Sequence, residues 1–288
     1  MTLVIPTFNR KDSLGRLLNS VLLMHPLPNE IIVVDNGSKD GTAFYVRNRY
    51  PNVTIIEYSE KLRSDFARLR GAIQASCDLV AFLEDDILVP NDWLGRMLSV
   101  FEDDHVGIAG SIIQNDDGST WEPVVKTTCF GDKVWRISSC SDGWAEIRYA
   151  NESGTIMRKT LLDVGLIDPG LIGDAWGESI SLYTRIRRRG IKAICVPITL
   201  LHFPTTPGGN KERYQKGRLS YYYSLYTNKT YVYLKYQATS ALIIPAYLLY
   251  RFGFLVVVSL IQKTPKVLSQ GYRGTILGLR LYLTNRRF

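Results

Sequence analysis

With 288 residues and 45% hydrophobic side chains, the chain is long enough to bury a sizeable core, which excludes disorder as its default state. Its net charge of +8 is unevenly spread: residues 201–288 carry 13 Lys and Arg against one acid, Glu212, and that +12 leaves −4 for residues 1–200. Four cysteines without CxxC spacing, Cys77, Cys129, Cys140 and Cys195, exclude a zinc cluster or a dithiol redox motif and are expected to be buried free thiols.

The start, Met1-Thr2-Leu3-Val4-Ile5-Pro6, enters a strand at once and lacks the regions of a signal peptide, so the first domain is expected in the cytoplasm. Short β-rich runs then alternate with amphipathic stretches, the pattern of βαβ units around a mostly parallel sheet. Strands are predicted at Thr2–Ile5, Glu30–Val34, Val53–Tyr58, Leu79–Leu83 and Gly107–Ser111. Helices are predicted at Lys11–Leu23, Thr42–Tyr50, Ser64–Ala75 and Asn91–Glu102, with Asp12-Ser13 and Pro90-Asn91-Asp92 as starts. From Ile112 to Tyr149 the text turns Gly-, Asp- and Trp-rich and reads as a loop-rich insert suited to acceptor binding. A helix at Ser179–Arg189, a strand at Lys192–Pro197 and a boundary at Gly208-Gly209-Asn210 follow.

The tail holds 12 of the 17 tyrosines. A basic, Tyr-rich, apolar segment suits an anionic membrane surface, where Lys and Arg meet lipid phosphates and Tyr rings sit at the headgroups. Long aliphatic runs such as Leu242–Tyr250 have no use in a phosphate-binding groove, which argues against nucleic acid as the partner. Ala241–Ile261 is nearly long enough to span a bilayer, but Pro245 and Arg251 interrupt it, and a central charge costs about 3 kcal/mol on insertion scales. An interfacial or re-entrant hairpin is the first expectation, ahead of a true span and of a soluble helical subdomain.

In an open α/β sheet, ligands bind beyond the carboxyl ends of the strands. Two apolar runs here end on acids: Ile31-Ile32-Val33-Val34-Asp35 and Leu79-Val80-Ala81-Phe82-Leu83-Glu84-Asp85-Asp86. Asp35 can accept hydrogen bonds from a base or ribose, or it can simply close a turn. Three consecutive acids repel, and a divalent cation bound by hard carboxylate oxygens would relieve them while leaving room for substrate phosphates. His202, between Leu201 and Phe203, reads as a packed histidine or as a metal ligand.

These residues resemble the family-2 glycosyltransferases, whose catalytic domain has the GT-A fold. The matching text is Val4-Ile5-Pro6-Thr7-Phe8-Asn9-Arg10, Val33 to Thr42, Ala67-Arg68-Leu69-Arg70-Gly71 and Phe82-Leu83-Glu84-Asp85-Asp86. Met157-Arg158-Lys159, Val164-Gly165-Leu166-Ile167-Asp168, Trp176-Gly177-Glu178 and Arg185 to Gly190 complete it, over roughly residues 2–205. The resemblance implies a Rossmann-like GT-A domain over residues 1–205, with a nucleotide-sugar-binding half at 1–111 and an acceptor-binding half at 112–205. A membrane-associated helical tail would occupy 206–288. It implies Thr7, Asn9 and Asp35 as base and ribose contacts, Arg70 as a donor-holding cation, Asp85 near ribose or metal, and Asp86 with His202 as ligands of Mg²⁺ or Mn²⁺. Glu84 departs from the first Asp of the family's Asp-x-Asp motif. Where members often carry an acidic pair, this chain reads Glu178-Ser179, so Glu178 is the first choice for the base and Asp174 the second. Helix capping is the bland alternative for both, and Trp176 is read as a sugar-stacking platform or as core.

The expected activity is transfer of a sugar, with inversion, from a nucleoside diphosphate sugar to a lipid-linked or growing-glycan acceptor at the cytoplasmic face of the membrane. Residues 219–236 loosely resemble the tails of polymer-building rhamnosyltransferases. The rival readings are a nucleotide-sugar-binding scaffold that has lost catalysis and a nucleotidyltransferase. Against the latter, the place of its Gly-rich phosphate loop holds Pro6-Thr7-Phe8-Asn9.

Overall fold

The computed structural model describes residues 1–121, 123, 126–127, 133–134, 143–173, 177–203, 218–238, 240, 242–261 and 265–285. The chain forms two compact units. The first comprises Met1–Lys126, Val134–Leu166 and Arg185–Thr206; the second comprises Thr127–Lys133, Ile167–Thr184 and Pro207–Phe288.

In chain order the first unit begins β1 (Thr2–Thr7), α1 (Lys11–Val21), β2 (Glu30–Asp35), α2 (Thr42–Arg49), β3 (Thr54–Glu57), α3 (Ser64–Gln74) and β4 (Leu79–Phe82). It continues with β5 (Ile87–Leu88), α4 (Trp93–Leu98) leading into a 3₁₀ turn, β6 (Val106–Asn115) and β7 (Thr120–Trp121). Beyond a two-stranded ribbon of β8 (Lys126–Thr127) and β9 (Lys133–Val134) come β10 (Ala145–Glu146), β11 (Thr155–Arg158) and β12 (Lys192–His202), while α5 (Glu178–Arg187), which precedes β12 in the chain, belongs to the second unit up to Thr184. The main sheet runs β10-β12-β6-β11-β4-β1-β2-β3 among the described residues.

Strands β3, β2, β1 and β4 pair in parallel, and β1 and β2 read as continuous apolar runs because both of their faces are covered. Parallel pairing, expected through most of the sheet, is found there and between β6 and β12. β11 runs antiparallel to both β4 and β6, and β5, β7 and β10 pair antiparallel as well, so the sheet is mixed. The reason lies in the connections. Crossover helices carry β1 through β4 in one direction, whereas β11 returns from the insert without one and inserts between β4 and β6.

Close packing aligns the helices on this sheet. A Cβ on Gly71 of α3 would come within 2.3 Å of Val4 Cγ1, so only glycine lets α3 lie this near β1. Trp93, fully buried, donates from Nε1 to Ser111 Oγ at 2.8 Å and ties α4 to β6. The predicted cap of α1 at Asp12-Ser13 is replaced from outside. Asp40 accepts from Lys11 N–H at 3.0 Å and from Thr42 N–H at 3.1 Å, serving the starts of α1 and α2 together. Asp92 precedes α4 without a side-chain capping bond. β6 and β12 run further than expected, to Asn115 and His202, and pair with each other over that added length. Cys195 is buried as expected, Cys77 is only half-buried, and Cys129 and Cys140 lie outside the described residues. The predicted boundary at Gly208-Gly209-Asn210 also lies outside them.

The second unit carries α6 (Arg218–Val232), which passes into a π-helical turn at Tyr233–Gln237, then α7 (Ile243–Ile261) and α8 (Pro265–Thr284). α8 meets α6 through a stripe of small residues. A Cβ on Gly274 would sit 2.4 Å from the Tyr223 carbonyl oxygen, and one on Gly278 would sit 2.4 Å from that of Thr227. Pro245 falls in the first turn of α7, where a missing N–H costs nothing. Arg251 is 2% exposed, its Nε donating to Tyr247 Oη at 3.2 Å, while Tyr247 stacks on Tyr233 with ring centroids 4.1 Å apart.

Because the obstacle at Gly274 is backbone oxygen, it cannot rotate away. Gly274→Val is expected to lower unfolding free energy by about 1–3 kcal/mol, seen as a reduced urea midpoint, whereas an unchanged midpoint would mean the α6–α8 contact is looser than described.

Candidate active site

Parallel pairing brings three strand ends to one edge of the first unit. Thr7 lies opposite Asp35 in the β1–β2 register, and Leu83 N–H donates to Val4 O, so the acidic run leaves the sheet beside Thr7. Thr7 Oγ1 donates to Asp85 Oδ2 at 2.7 Å. Arg10 NH1 donates to both Asp85 Oδ1, at 2.7 Å, and Asp86 Oδ2, at 2.8 Å. Ser13 Oγ donates to the Asp85 carbonyl at 2.7 Å, and Glu84 N–H donates to Ser153 Oγ at 2.9 Å, so the run is held at both ends.

Asp85 and Asp86 are 4% and 6% exposed. Removing a carboxylate from water costs several kcal/mol, and each charge-assisted hydrogen bond returns about 1.5–3 kcal/mol. Arg10 and Thr7 therefore offset only part of the cost at Asp85. Burial pushes its carboxyl up to about 6, with Arg10 opposing and Asp86 adding to the rise. Glu84 is pushed up to about 7 by burial and by Asp86, but 41% of its side chain meets solvent, and screening moderates that shift. Arg68 NH1 lies 3.9 Å from Glu84.

Asp86 Oδ1 is buried and has no hydrogen-bond partner among the described residues. Its other oxygen faces His202 Nε2 at 3.5 Å, and His202 Nδ1 shares a hydrogen bond with Asn115 Oδ1 at 2.9 Å, which fixes the ring. The Asp86 carboxylate holds the imidazole above its ordinary value, against its half-burial. One unsatisfied carboxylate oxygen and one oriented imidazole fit a hard divalent cation such as Mg²⁺ or Mn²⁺. Among the described residues no group of three or more His, Cys, Asp or Glu could hold an ion by itself, so substrate oxygens would have to complete the shell. Asp85 spends both oxygens on Thr7 and Arg10 and offers less to a cation than Asp86 does.

The residues expected to contact the nucleotide, Asn9 and Asp35, lie in the loop after β1 and at the end of β2. Asn9 adopts φ 53, receives Lys39 N–H on Oδ1 at 2.7 Å and donates its own N–H to Ser38 Oγ. Asp35 closes its turn by accepting Ser38 N–H on Oδ1 at 2.9 Å, which leaves its second oxygen for a ligand. Gly37, at φ 86, makes that turn possible. Asn36 grips the Leu62 backbone, with Oδ1 and Nδ2 at 2.6 and 2.9 Å, and Lys61 Nζ lies 4.2 Å from the Phe8 ring centroid. Arg70 is exposed on α3, and the buried basic residue of that helix facing the acids is Arg68. Glu178 opens α5 in the second unit, while Asp174 and Trp176 lie outside the described residues. Arg10, Arg68, Asn115 and Ser153 are site residues that the sequence reading gave no role. Arg10 was the discoverable one, since it closes the Thr7-Phe8-Asn9-Arg10 stretch after β1.

A carboxyl whose folded pKa is raised binds protons more readily in the folded state, so folding weakens as pH rises through the interval between the unfolded and folded values. For Asp85 that interval runs from the ordinary carboxylate range to about 6. Without divalent cation the melting temperature is expected to fall between pH 4.5 and 6.5 through this group. Mn²⁺ should raise it at pH 7.5 far more than at pH 4.5, and equal Mn²⁺ shifts at both values would remove the acidic run from the cation site.

The chain is 32% identical over 119 residues to the glycosyltransferase AglE of Haloferax volcanii, covering 40% of this chain and 39% of that protein. It is 24% identical over 217 residues to the poly-β-1,6-N-acetyl-D-glucosamine synthase of Staphylococcus aureus, covering 73% of this chain and 51% of the synthase. The matches thus span about two fifths and about half of those relatives. Among solved structures, the mannosyltransferase PcManGT of Pyrobaculum calidifontis, in complex with GDP-Man and Mn²⁺, superposes with a TM-score of 0.55 at 18% identity, over 98% of this chain and 86% of that one. At that identity the likeness speaks for the fold, an α/β fold of GT-A type. The profile for glycosyl transferase family 2 matches residues 2–163, more than half of the sequence, and the chain belongs to that family.

Proposed function

We propose that the protein transfers a sugar from a nucleoside diphosphate sugar to a lipid-linked or growing-glycan acceptor, with inversion and with Mg²⁺ or Mn²⁺. The observation that carries this reading is the buried, unpartnered Asp86 Oδ1 beside His202 at the strand edge that also presents Thr7 and Asp35. In it Asn9 and Asp35 hold the base and ribose, and Thr7 orients Asp85. Asp86 and His202 hold the cation, with Asp85 beside them, and Arg70 or the better-placed Arg68 steadies the donor. When bound, the cation neutralises charge on the leaving diphosphate. Glu178, or Asp174 in its place, takes the proton from the acceptor hydroxyl as that oxygen bonds to the anomeric carbon, and the diphosphate departs with the electron pair of the broken bond. Arg10 sits where a guanidinium can shift from the acids to the diphosphate oxygens. The nucleotide sugar and Mn²⁺ bound to PcManGT support the donor class and the cation. A rhamnosyl donor is the subtype suggested by residues 219–236.

The full chain in detergent with Mn²⁺ should release nucleoside diphosphate from one of a panel of UDP-, GDP- and dTDP-sugars, and chelator should stop it. Asp86→Ala should cut that release at least about 100-fold with an unchanged circular dichroism spectrum. Unchanged turnover in the variant would reject the cation assignment, and nucleotide binding without turnover across the panel would favour a binding protein.

The second unit fits a role at the cytoplasmic face of a membrane. α7 is a 19-residue helix long and apolar enough to cross one. It turns Tyr247, Arg251, Leu255 and Ser259 inward and leaves Leu249, Val257, Leu260 and Ile261 exposed. The basic Lys266, Arg273 and Arg280 are exposed on α8 at heptad spacing, away from its glycine stripe. Apolar surface flanked by cations suits anionic lipid. Deleting α7 and α8 would strip α6 of its packing partner, so charge placed on the exposed face is the cleaner test. Leu249→Glu, Val257→Glu and Leu260→Glu together should lower flotation with phosphatidylcholine–phosphatidylglycerol vesicles by about tenfold or more, and flotation equal to the parent would place the membrane contact elsewhere.

A further inference from the structure

The segment that leads into Glu178 is fastened to one face of α6. Asp168, 1% exposed, accepts hydrogen bonds from Gly170 N–H at 2.9 Å, Tyr231 Oη at 3.0 Å and Lys235 Nζ at 3.1 Å, and from the Tyr236 hydroxyl. Burial alone would raise its carboxyl, but these donors outweigh burial and hold it below the ordinary value, so it is ionised at neutral pH. Asn228, fully buried, clamps the backbone of Ile172, four residues after Asp168. Its Oδ1 accepts the Ile172 N–H, and its Nδ2 donates to the Ile172 carbonyl, each at 3.0 Å.

Glycines bring the segment within reach of this face. A Cβ on Gly170 would lie 2.3 Å from the Tyr231 ring, one on Gly173 would lie 2.8 Å from Ser224 Oγ, and one on Gly177 would lie 3.1 Å from Val232 Cγ2. Gly173 and Gly177 also hold φ of +61 and +129, outside the ordinary range of other residues. The helix-side partners, Ser224, Asn228 and the neighbours Tyr231 and Val232 on α6, are spaced by three or four residues and share one face, and Lys235 follows in the π-helical turn. The backbone clamp, the hydrogen-bonded Asp168 carboxylate and three close approaches all act on the segment that precedes Glu178, and Ser181 N–H then bonds Gly177 O as α5 begins.

We propose that α6 is a positioning element for the reaction: Asn228 and Asp168 set the place of the base Glu178 without touching substrate. This rests on the reading of Glu178 as the base. A base must lie within hydrogen-bond reach of the proton it removes, and displacement by about 1 Å costs on the order of 100-fold in rate. The C-terminal helices are on this account part of the acceptor-side machinery, and their contribution does not depend on binding lipid.

The test uses the full chain with Asn228→Asp. This variant keeps the side chain's size and its acceptor for Ile172 N–H but sets a carboxylate oxygen against the Ile172 carbonyl. Turnover is read as nucleoside diphosphate release from UDP-N-acetylglucosamine and GDP-mannose, and the dissociation constant of each donor by calorimetry. Asn228→Asp is expected to lower turnover tenfold or more, leave donor affinity within twofold, and cause no further loss when added to Glu178→Gln. Asp168→Asn should behave alike, and hydrogen exchange at Ile172 should quicken in Asn228→Asp while β1 and β4 stay protected. Parent-level turnover in Asn228→Asp, or an equal further loss in the Glu178→Gln background, overturns the positioning role, the second because it marks general structural damage. Glu178→Gln with parent-level turnover rejects the base assignment itself, whatever Asn228→Asp does.

Discussion

Two carboxylates buried side by side at the end of an apolar strand repel one another, and much of the first unit's architecture contains that repulsion. Asp85 and Asp86 share one guanidinium, Arg10, carried on the turn between β1 and α1. That turn is fixed in its own right: Asn9 is locked to the β2 loop through Lys39 and Ser38, and Asp40 takes the first amide of α1. The parallel register that sets Thr7 opposite Asp35 also lets Thr7 reach Asp85. Sheet pairing, loop geometry and helix capping therefore all serve one buried charge cluster. The cluster is still not neutral in energy, since Asp85 retains a raised pKa and Asp86 keeps an unpartnered oxygen. A structural ion pair has no use for that residue of strain, whereas a cation-binding site does.

The parts legible from sequence were those whose local text repeats the physics of the site. β2 and β4 announced themselves as apolar runs too continuous for a half-exposed strand, and the acids that end them marked the edge at which an open α/β sheet offers a ligand site. What escaped was decided by partners distant in sequence. The antiparallel insertion of β11 depends on which edge of β4 is open, and nothing in Thr155–Arg158 encodes direction. Asp12-Ser13 has the composition of a helix start, yet Asp40, nearly thirty residues on, does the capping and Ser13 turns to the Asp85 carbonyl. Arg68 and Arg70 are two residues apart on a helix, so they point to different sides, and choosing between them needs the position of Gly71 against Val4.

Asp168 shows the same limit from the other direction. In sequence it closes Val164-Gly165-Leu166-Ile167-Asp168, a run that carries part of the family resemblance but names no partner for the acid. Its donors, Tyr231, Lys235 and Tyr236, come from more than sixty residues later, where Tyr and Lys suggest only a lipid interface. Part of the tail's tyrosine content thus belongs to an internal network. Tyr231, Tyr233 and Tyr247 are buried, and the first two lie on or beside the stripe that grips the segment before Glu178. Composition alone assigns all twelve to one purpose; burial separates at least two.

Arg251 makes the point about direction most sharply. Hydropathy treats a charge in the middle of an apolar run as a penalty of about 3 kcal/mol wherever it points. Tyr247, Arg251, Leu255 and Ser259 are spaced by four and share one side of α7, the side turned into the unit. There the guanidinium lies 5.2 and 5.5 Å from the Tyr247 and Tyr250 ring centroids, contacts worth more once desolvated than at a surface. The outward side between Leu249 and Ile261 then carries no charge. The residue that counted against a simple span in the sequence is consistent with apolar contact along the outward side in three dimensions, because the protein already covers the charge that lipid could not. The spacing was legible from the start; what the sequence lacked was the knowledge that one side of α7 faces protein, which the packing of Leu255 against α8 Gly271 and of Tyr247 on Tyr233 supplies.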